Sequence, residues 1–133
     1  MSPRLDVHDM WAADAASRAL GMELVTVGDG GAVVRMTVRD DMVNGHGMCH
    51  GGLVATLADS AFALACNSRG TATVAAGFDV SFLEPAHEGD RLVATAEERS
   101  LRGRSGIYDV TVRRDDPAGQ VIAEFRGRSR ALG

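Results

Sequence analysis

Leu53-Val54-Ala55-Thr56-Leu57-Ala58-Asp59-Ser60-Ala61-Phe62-Ala63-Leu64-Ala65-Cys66 is the stretch whose reading decides the fold of this 133-residue chain. Eleven of its fourteen residues are apolar, and on a helical wheel they surround the axis instead of lining one stripe. A helix of that kind is buried on nearly all sides, so we expect a central helix over residues 50–68. The same stretch is too short, and too interrupted by Thr56, Asp59 and Ser60, to cross a bilayer.

The elements around this helix supply what must cover it. Asp9 to Leu20 carries helix-forming alanines and stops before Gly21, giving an N-terminal helical segment within residues 1–20. Met22–Val27 and Ala32–Arg39 are rich in β-branched residues and flank Gly28-Asp29-Gly30-Gly31, which supplies the positive φ angles of a tight hairpin. Beyond the helix the period changes to two: Phe78, Val80 and Phe82 alternate with Gly77, Asp79 and Ser81 and end before Pro85. Further strands are expected at 91–98, 105–113 and 121–130. They are separated by turns at His87-Glu88-Gly89, Arg102-Gly103 and Asp116-Pro117-Ala118-Gly119.

The order helix, two strands, apolar helix, four strands predicts an α+β fold in which one antiparallel sheet, its last three strands a meander, curls around the central helix. A length of 133 residues suits a single domain spanning 1–133. The helix carries more apolar surface than one sheet covers, and a second subunit is expected to take the remainder.

Composition excludes some functions. The net charge is -4, all fourteen basic residues are arginine, and they are sparse before Arg99, so no dense basic stripe marks a nucleic-acid partner. Met1 to Met10 has no apolar core of a secretory signal. Cys49 and Cys66 are therefore read as reduced thiols of a soluble, cytoplasmic protein.

Chemistry gathers where the loop enters the helix. Val43-Asn44-Gly45-His46-Gly47-Met48-Cys49-His50-Gly51-Gly52 places the amides near Gly51 and Gly52 at the positive end of the helix. Two glycines also let a carbonyl approach the backbone closely, as an oxyanion hole requires. An ordinary glycine-rich helix start is the competing reading. Asp59 sits among Leu57, Ala58, Ala61 and Phe62, where a carboxylate is costly unless it faces a cavity or finds partners. It is either a general base with a raised pKa or a structural carboxylate served by Ser60 or Thr56. Eight helical residues from Gly51 to Asp59 give about 12 Å of rise and roughly 80° of rotation. The two cannot serve one carbon within one chain, so if both act, the site lies between subunits.

Asn44-Gly45-His46-Gly47-Met48-Cys49-His50-Gly51-Gly52, followed by Leu57-Ala58-Asp59-Ser60-Ala61-Phe62-Ala63 and Ala65-Cys66-Asn67-Ser68, resembles the signature of the PaaI-type acyl-CoA thioesterases of phenylacetate degradation. The similarity continues through Phe82-Leu83-Glu84-Pro85, Gly89-Asp90, Gly106-Ile107-Tyr108-Asp109 and Phe125-Arg126-Gly127. The resemblance implies a hotdog fold, two subunits forming a double hotdog, commonly doubled into a tetramer, and an acyl-CoA substrate with no metal or organic cofactor. By position it implies that the Gly51 amide polarises the thioester carbonyl. Asp59 of the facing subunit would activate water or attack directly, and Asn44 and His50 would orient the carbonyl and water. Glu84 stands where the family often has a basic residue, and Ser81 where it often has an acid; acyl preference and CoA contacts are the properties these departures touch.

Gly52, Arg102, Arg104 and Arg128 are the expected substrate-binding residues, the arginines because guanidinium groups suit the phosphates of CoA; solvated strand arginines also serve solubility. His46, Cys49 and His50 with Asp40 or Asp41 match no standard zinc spacing, and Cys49 beside His50 reads as a packed loop cysteine. Two other functions compete with thioester hydrolysis. Asp41 and His46 have a spacing reminiscent of hotdog enoyl-CoA hydratases, and a fold alone also permits a non-catalytic acyl-CoA-binding module.

Overall fold

The computed structural model describes residues 3–115 and 118–133; Asp116 and Pro117 of the expected last turn lie outside the described residues. The elements are α1 (Val7–Ala12), α2 (Ala15–Ala19), β1 (Glu23–Gly28), β2 (Gly31–Thr37), a 3-10 turn (Asp40–Met42), α3 (Gly51–Asn67), β3 (Thr73–Phe82), β4 (Arg91–Arg102), β5 (Ser105–Arg114) and β6 (Val121–Ala131). Among the described residues no helix is long and apolar enough to cross a membrane.

One sheet of six strands, ordered β1-β2-β4-β5-β6-β3 and antiparallel at every pairing, wraps α3. The meander expected of the last three strands is formed by β4, β5 and β6. α3 carries the chain across the concave face of the sheet, so β3 emerges at the far edge and pairs with β6, from Thr73 opposite Ala131 to Phe82 opposite Ala123. The N-terminal segment also differs from a single helix. Asp14 breaks it, because its carboxylate accepts from the Ser17 N–H and starts a second helix. The first hairpin turns on Asp29 (φ 51°) and Gly30 (φ 83°), the paired positive angles of a type I′ turn. Register shifts at Val25, Ala76 and Arg99 add the local twist that lets a flat ladder curl.

Alternation sorts the strands. Val34, Met36, Leu92, Ala94, Val110 and Phe125 point inward and are buried against Leu57, Ala58, Ala61, Phe62 and Leu64 of α3. Phe62 reaches the sheet because Gly127 opposite it has no side chain: a Cβ there would lie 2.8 Å from the ring. Its ring meets Tyr108 at 5.7 Å and Phe125 at 5.8 Å between centroids.

Two uncovered features among the described residues lie close to the loop that enters α3. Gly52, Ala55, Thr56, Asp59 and Ala63 form a stripe along α3 that is exposed or half-buried. Among the described residues the β3 edge has no strand beside it, and its inward-phased Phe78 and Phe82 are 41% and 54% exposed.

Candidate active site

The loop before α3 spends its polar groups on holding its own shape. Asn44 Oδ1 accepts from the His46 and Met48 amides at 2.9 and 3.2 Å, and Gly47 takes φ 79° to close the turn. The Cys49 amide donates to the Ala86 carbonyl at 2.7 Å and the His50 amide to the Met42 carbonyl at 2.8 Å. At the helix start His50 is the N-cap, with Nδ1 accepting from the Gly52 N–H at 3.0 Å. The neutral imidazole therefore carries its proton on Nε2. The His50 carbonyl accepts from Leu53 and Val54.

One amide is left over. Among the described residues no acceptor pairs with the Gly51 N–H, while the Gly52 N–H is committed to His50. Gly51 lines a cavity of about 350 Å³ together with Asn44, Met48, Val54, Phe82, Pro85 and Ile122. The ring of Phe82 covers Gly51 so closely that a Cβ there would stand 3.1 Å from it. The cavity thus combines a largely apolar wall with a backbone donor at the positive end of a 17-residue helix.

Asp59 is not in that cavity. It lies on the uncovered stripe of α3, half-buried, and burial, reinforced by the negative charge of Asp14, pushes its carboxyl above the usual range. The donors that would make it structural are used elsewhere. Thr56 Oγ1 donates to the Gly52 carbonyl at 2.7 Å, and Ser60 Oγ bonds Ser17 Oγ at 2.8 Å. No hydrogen bond to the Asp59 carboxylate occurs among the described residues.

The expected arginines lie away from both groups. Arg102 and Arg128 line a shallow groove of about 450 Å³ with Arg130, Ser100, Ser105 and Ile107. Arg128 bonds Asp79 at 3.1 Å and Arg130 bonds Ser105 at 3.3 Å. Arg104 is exposed in the β4–β5 turn and does not line the groove. The groove sits at the opposite end of β6 from Ile122, a span of about 26 Å at the usual strand rise. Asp41 is exposed and held by Arg39 at 3.0 and 3.3 Å, which keeps its carboxyl below the usual range. Cys49 and Cys66 are buried, free thiols, and burial pushes Cys66 up to about 12. Among the described residues no group of three His, Cys, Asp or Glu side chains is arranged to hold a metal ion.

Phe82, Met48 and Ile122 are cavity residues that the motif alone did not single out. Phe82 was within reach, because its phase with Phe78 and Val80 puts it on the helix side of the sheet. His50 acting as a cap for Gly52 was not, because that depends on the rotamer of the imidazole.

The pattern of the thioesterase superfamily matches residues 46–120. The chain is 43% identical over 128 residues to the acyl-coenzyme A thioesterase PaaI of Escherichia coli, covering 96% of this chain and 90% of that one. The solved structure of that protein, from the phenylacetic acid degradation operon, superposes with a TM-score of 0.91 at 44% identity over 95% of this chain and 90% of that chain. Human acyl-coenzyme A thioesterase 13 is 32% identical over 123 residues, 90% of this chain and 87% of that one. A Streptococcus mutans protein solved bound to acetyl CoA superposes with a TM-score of 0.79 at 25% identity, covering 84% and 89% of the two chains. The chain therefore belongs to the thioesterase superfamily and has the PaaI-type hotdog fold.

Proposed function

We propose that this protein is an acyl-CoA thioesterase whose site is shared by two copies of the chain, the Gly51 amide of one and Asp59 of the other. The observation that carries the reading is the unpaired Gly51 amide opening on an apolar cavity. The carboxylate it needs is poised on a different face of the same helix. Water, deprotonated by Asp59, attacks the thioester carbon, and the carbonyl oxygen takes up the negative charge against the Gly51 N–H. Collapse of the intermediate breaks the carbon–sulfur bond and releases the free acid and the CoA thiolate, which takes a proton. Asn44, whose Oδ1 is engaged by the loop amides, presents its Nδ2 donors, and His50 its Nε2–H, as orienting groups for carbonyl and water.

The uncovered β3 edge is the natural seam for the pair. Two copies joined antiparallel along β3 continue the sheet, cover Phe78 and Phe82, and remove an edge that would otherwise invite aggregation. Such a two-fold sets the Thr73 end of one strand against the Phe82 end of the other. The Arg102–Arg128–Arg130 groove of one copy thereby comes toward the Gly51 cavity of its mate, within reach of the phosphates of a bound CoA. Gly52 supports the site by holding His50, and Arg104, exposed in the β4–β5 turn two residues after Arg102, adds positive charge at that end of the sheet. The outer sheet face, with Arg99 and Arg126 paired to Asp109, offers a self-complementary surface for a dimer of dimers.

The walls of Met48, Val54, Phe82, Leu83, Pro85 and Ile122 suit phenylacetyl, hydroxyphenylacetyl or short-to-medium aliphatic acyl groups. Two unpaired thiols and a CoA ester substrate fit a cytoplasmic setting. Hydratase chemistry is disfavoured by Asp41, which is tied to Arg39 and faces solvent. A purely binding module leaves unexplained why Asp59 is half-buried with no donor among the described residues.

The test is release of free thiol from aromatic and aliphatic CoA esters by the wild-type protein and by Asp59→Asn. Loss of a positioned general base lowers kcat by about 10²- to 10⁴-fold. A rate near that of the wild type removes Asp59 from the mechanism.

A further inference from the structure

The N-terminal helices reach α3 through a hydrogen-bond chain that the mechanism above does not use. Asp14 Oδ1 accepts from the Ser17 N–H at 2.9 Å, and Oδ2 accepts from Ser17 Oγ at 2.7 Å. Ser17 Oγ in turn lies 2.8 Å from Ser60 Oγ. Both serines are buried, 2% and 8% exposed. An ionised carboxylate only accepts, so the Ser17 proton is committed to Asp14 and Ser60 donates to Ser17. The chain runs in one direction, from Ser60 through Ser17 to Asp14, and its first member is the immediate neighbour of Asp59.

Capping α2 needs only the Ser17 N–H bond to Asp14; the hydroxyl chain to Ser60 is additional to that cap. A serine within a helix can satisfy its hydroxyl on the carbonyl four residues back, and a hydroxyl pair ending on a partly buried carboxylate is a demanding way to dock two short helices. The arrangement nevertheless sets a second negative group close enough to act on Asp59. Among the described residues no cation counters that effect at Asp59. Arg18, the basic residue of α2, turns to the Ala12 carbonyl at 2.7 Å. On α3 the titratable group that shares the field of Asp59 is the Cys66 thiol. From β4 and β5 the groups on the helix side are Glu98 and Tyr108, bonded to each other at 2.9 Å with Arg69 on Glu98.

We propose that Asp14 is a positioning residue for Asp59: it ends the Ser60–Ser17 chain, ties α2 to the helix that carries Asp59, and adds a second carboxylate to the field of the candidate base. Its catalytic meaning rests on the thioesterase reading, while its physical content does not. A carboxylate kept from ionising too early is a stronger base at neutral pH.

Asp14→Asn separates charge from fold. Asparagine is as good an N-cap as aspartate, and its amide can donate to Ser17 Oγ, which then donates to Ser60, so the chain survives with its polarity reversed. The measurement is the carboxyl carbon-13 titration of Asp59, assigned by its loss in Asp59→Asn. The midpoint is expected to move downward in Asp14→Asn, and the acid limb of kcat/KM to move with it; an unmoved midpoint overturns the proposal. Ser17→Ala, which keeps the charge and cuts the chain, is expected to lower kcat several-fold at unchanged KM, with recovery in Ser17→Thr. An unaltered kcat in Ser17→Ala overturns the positioning role. Full activity in Asp59→Asn would refute the thioesterase mechanism separately, because the titration reads Asp59 whether or not it catalyses.

Discussion

Gly51→Pro removes one hydrogen atom that matters and disturbs little else. Gly51 is the first residue of α3, and its N–H has no partner among the described residues, so proline there costs the fold no hydrogen bond and its fixed φ suits the first helical position. The preceding residue must be extended, and His50 already is, at φ -58° and ψ 129°. The new ring carbons press on Phe82, 3.1 Å from the Cβ position, but that side chain is 54% exposed and has room to give by a few tenths of an ångström. Loss of a single oxyanion donor costs about 2.7–4 kcal/mol in the transition state, or about 10²–10³ in kcat. Steady-state release of free thiol measures this, with the thermal midpoint as the check on folding. Gly51→Ala is the control, since it adds the same Cβ and keeps the N–H, and most of its activity should remain. If Gly51→Pro folds normally and retains kcat within about threefold, far short of the loss of a single donor, the amide is not the group that stabilises the oxyanion.

Gly127→Ala tests the packing that holds α3 against the sheet. Its Cβ would fall 2.8 Å from Phe62, a ring that is fully buried and flanked by Tyr108 and Phe125. Overpacking of this kind costs about 1–3 kcal/mol. For a chain of 133 residues that lowers the calorimetric midpoint by about 4–11 °C, and an unchanged midpoint contradicts the packing account. Asp59→Asn should also stabilise the fold near neutral pH while it abolishes turnover. Burial and Asp14 raise the Asp59 carboxyl from its ordinary value of 3.8, so between that value and the raised one the folded protein holds a proton that the unfolded chain has released. Stability contributed at low pH is lost as pH rises through this window. Melting curves should show the variant above the wild type at pH 7 and the difference gone below pH 3.8; a variant less stable at pH 7 reverses the sign.

The central helix was legible because burial leaves a compositional mark: alanine and leucine all round Leu53–Cys66 can only mean contact on most sides. The hairpin at Asp29-Gly30 was equally plain, since few residue pairs accept two positive φ angles. What the sequence concealed was long-range. Local alternation does not say which strand a strand will neighbour, so the placement of β3 beside β6 awaited the path of α3 across the sheet. Asp14 looked like one more polar residue in a helical run, and it proved to be the cap that divides that run in two. At the site, loop chemistry alone pointed to the amides near Gly51 and Gly52 without separating them, and only the family resemblance assigned the carbonyl to Gly51. The His50 Nδ1 bond, a matter of side-chain rotamer, leaves one amide free and takes the other. Asp59 was conspicuous for its apolar neighbours, yet its lack of donors appeared only once Thr56 and Ser60 were seen bonded elsewhere.

Subunit complementation tests the shared site most directly. Gly51→Pro and Asp59→Asn chains, each inactive alone, are unfolded together in equal amounts, refolded and assayed. If each pocket joins the amide of one chain to the carboxylate of its mate, a mixed dimer has one pocket with both groups intact and one with neither. Random pairing then restores about a quarter of wild-type turnover. If both groups act within one chain, every pocket in the mixture stays defective and no activity returns.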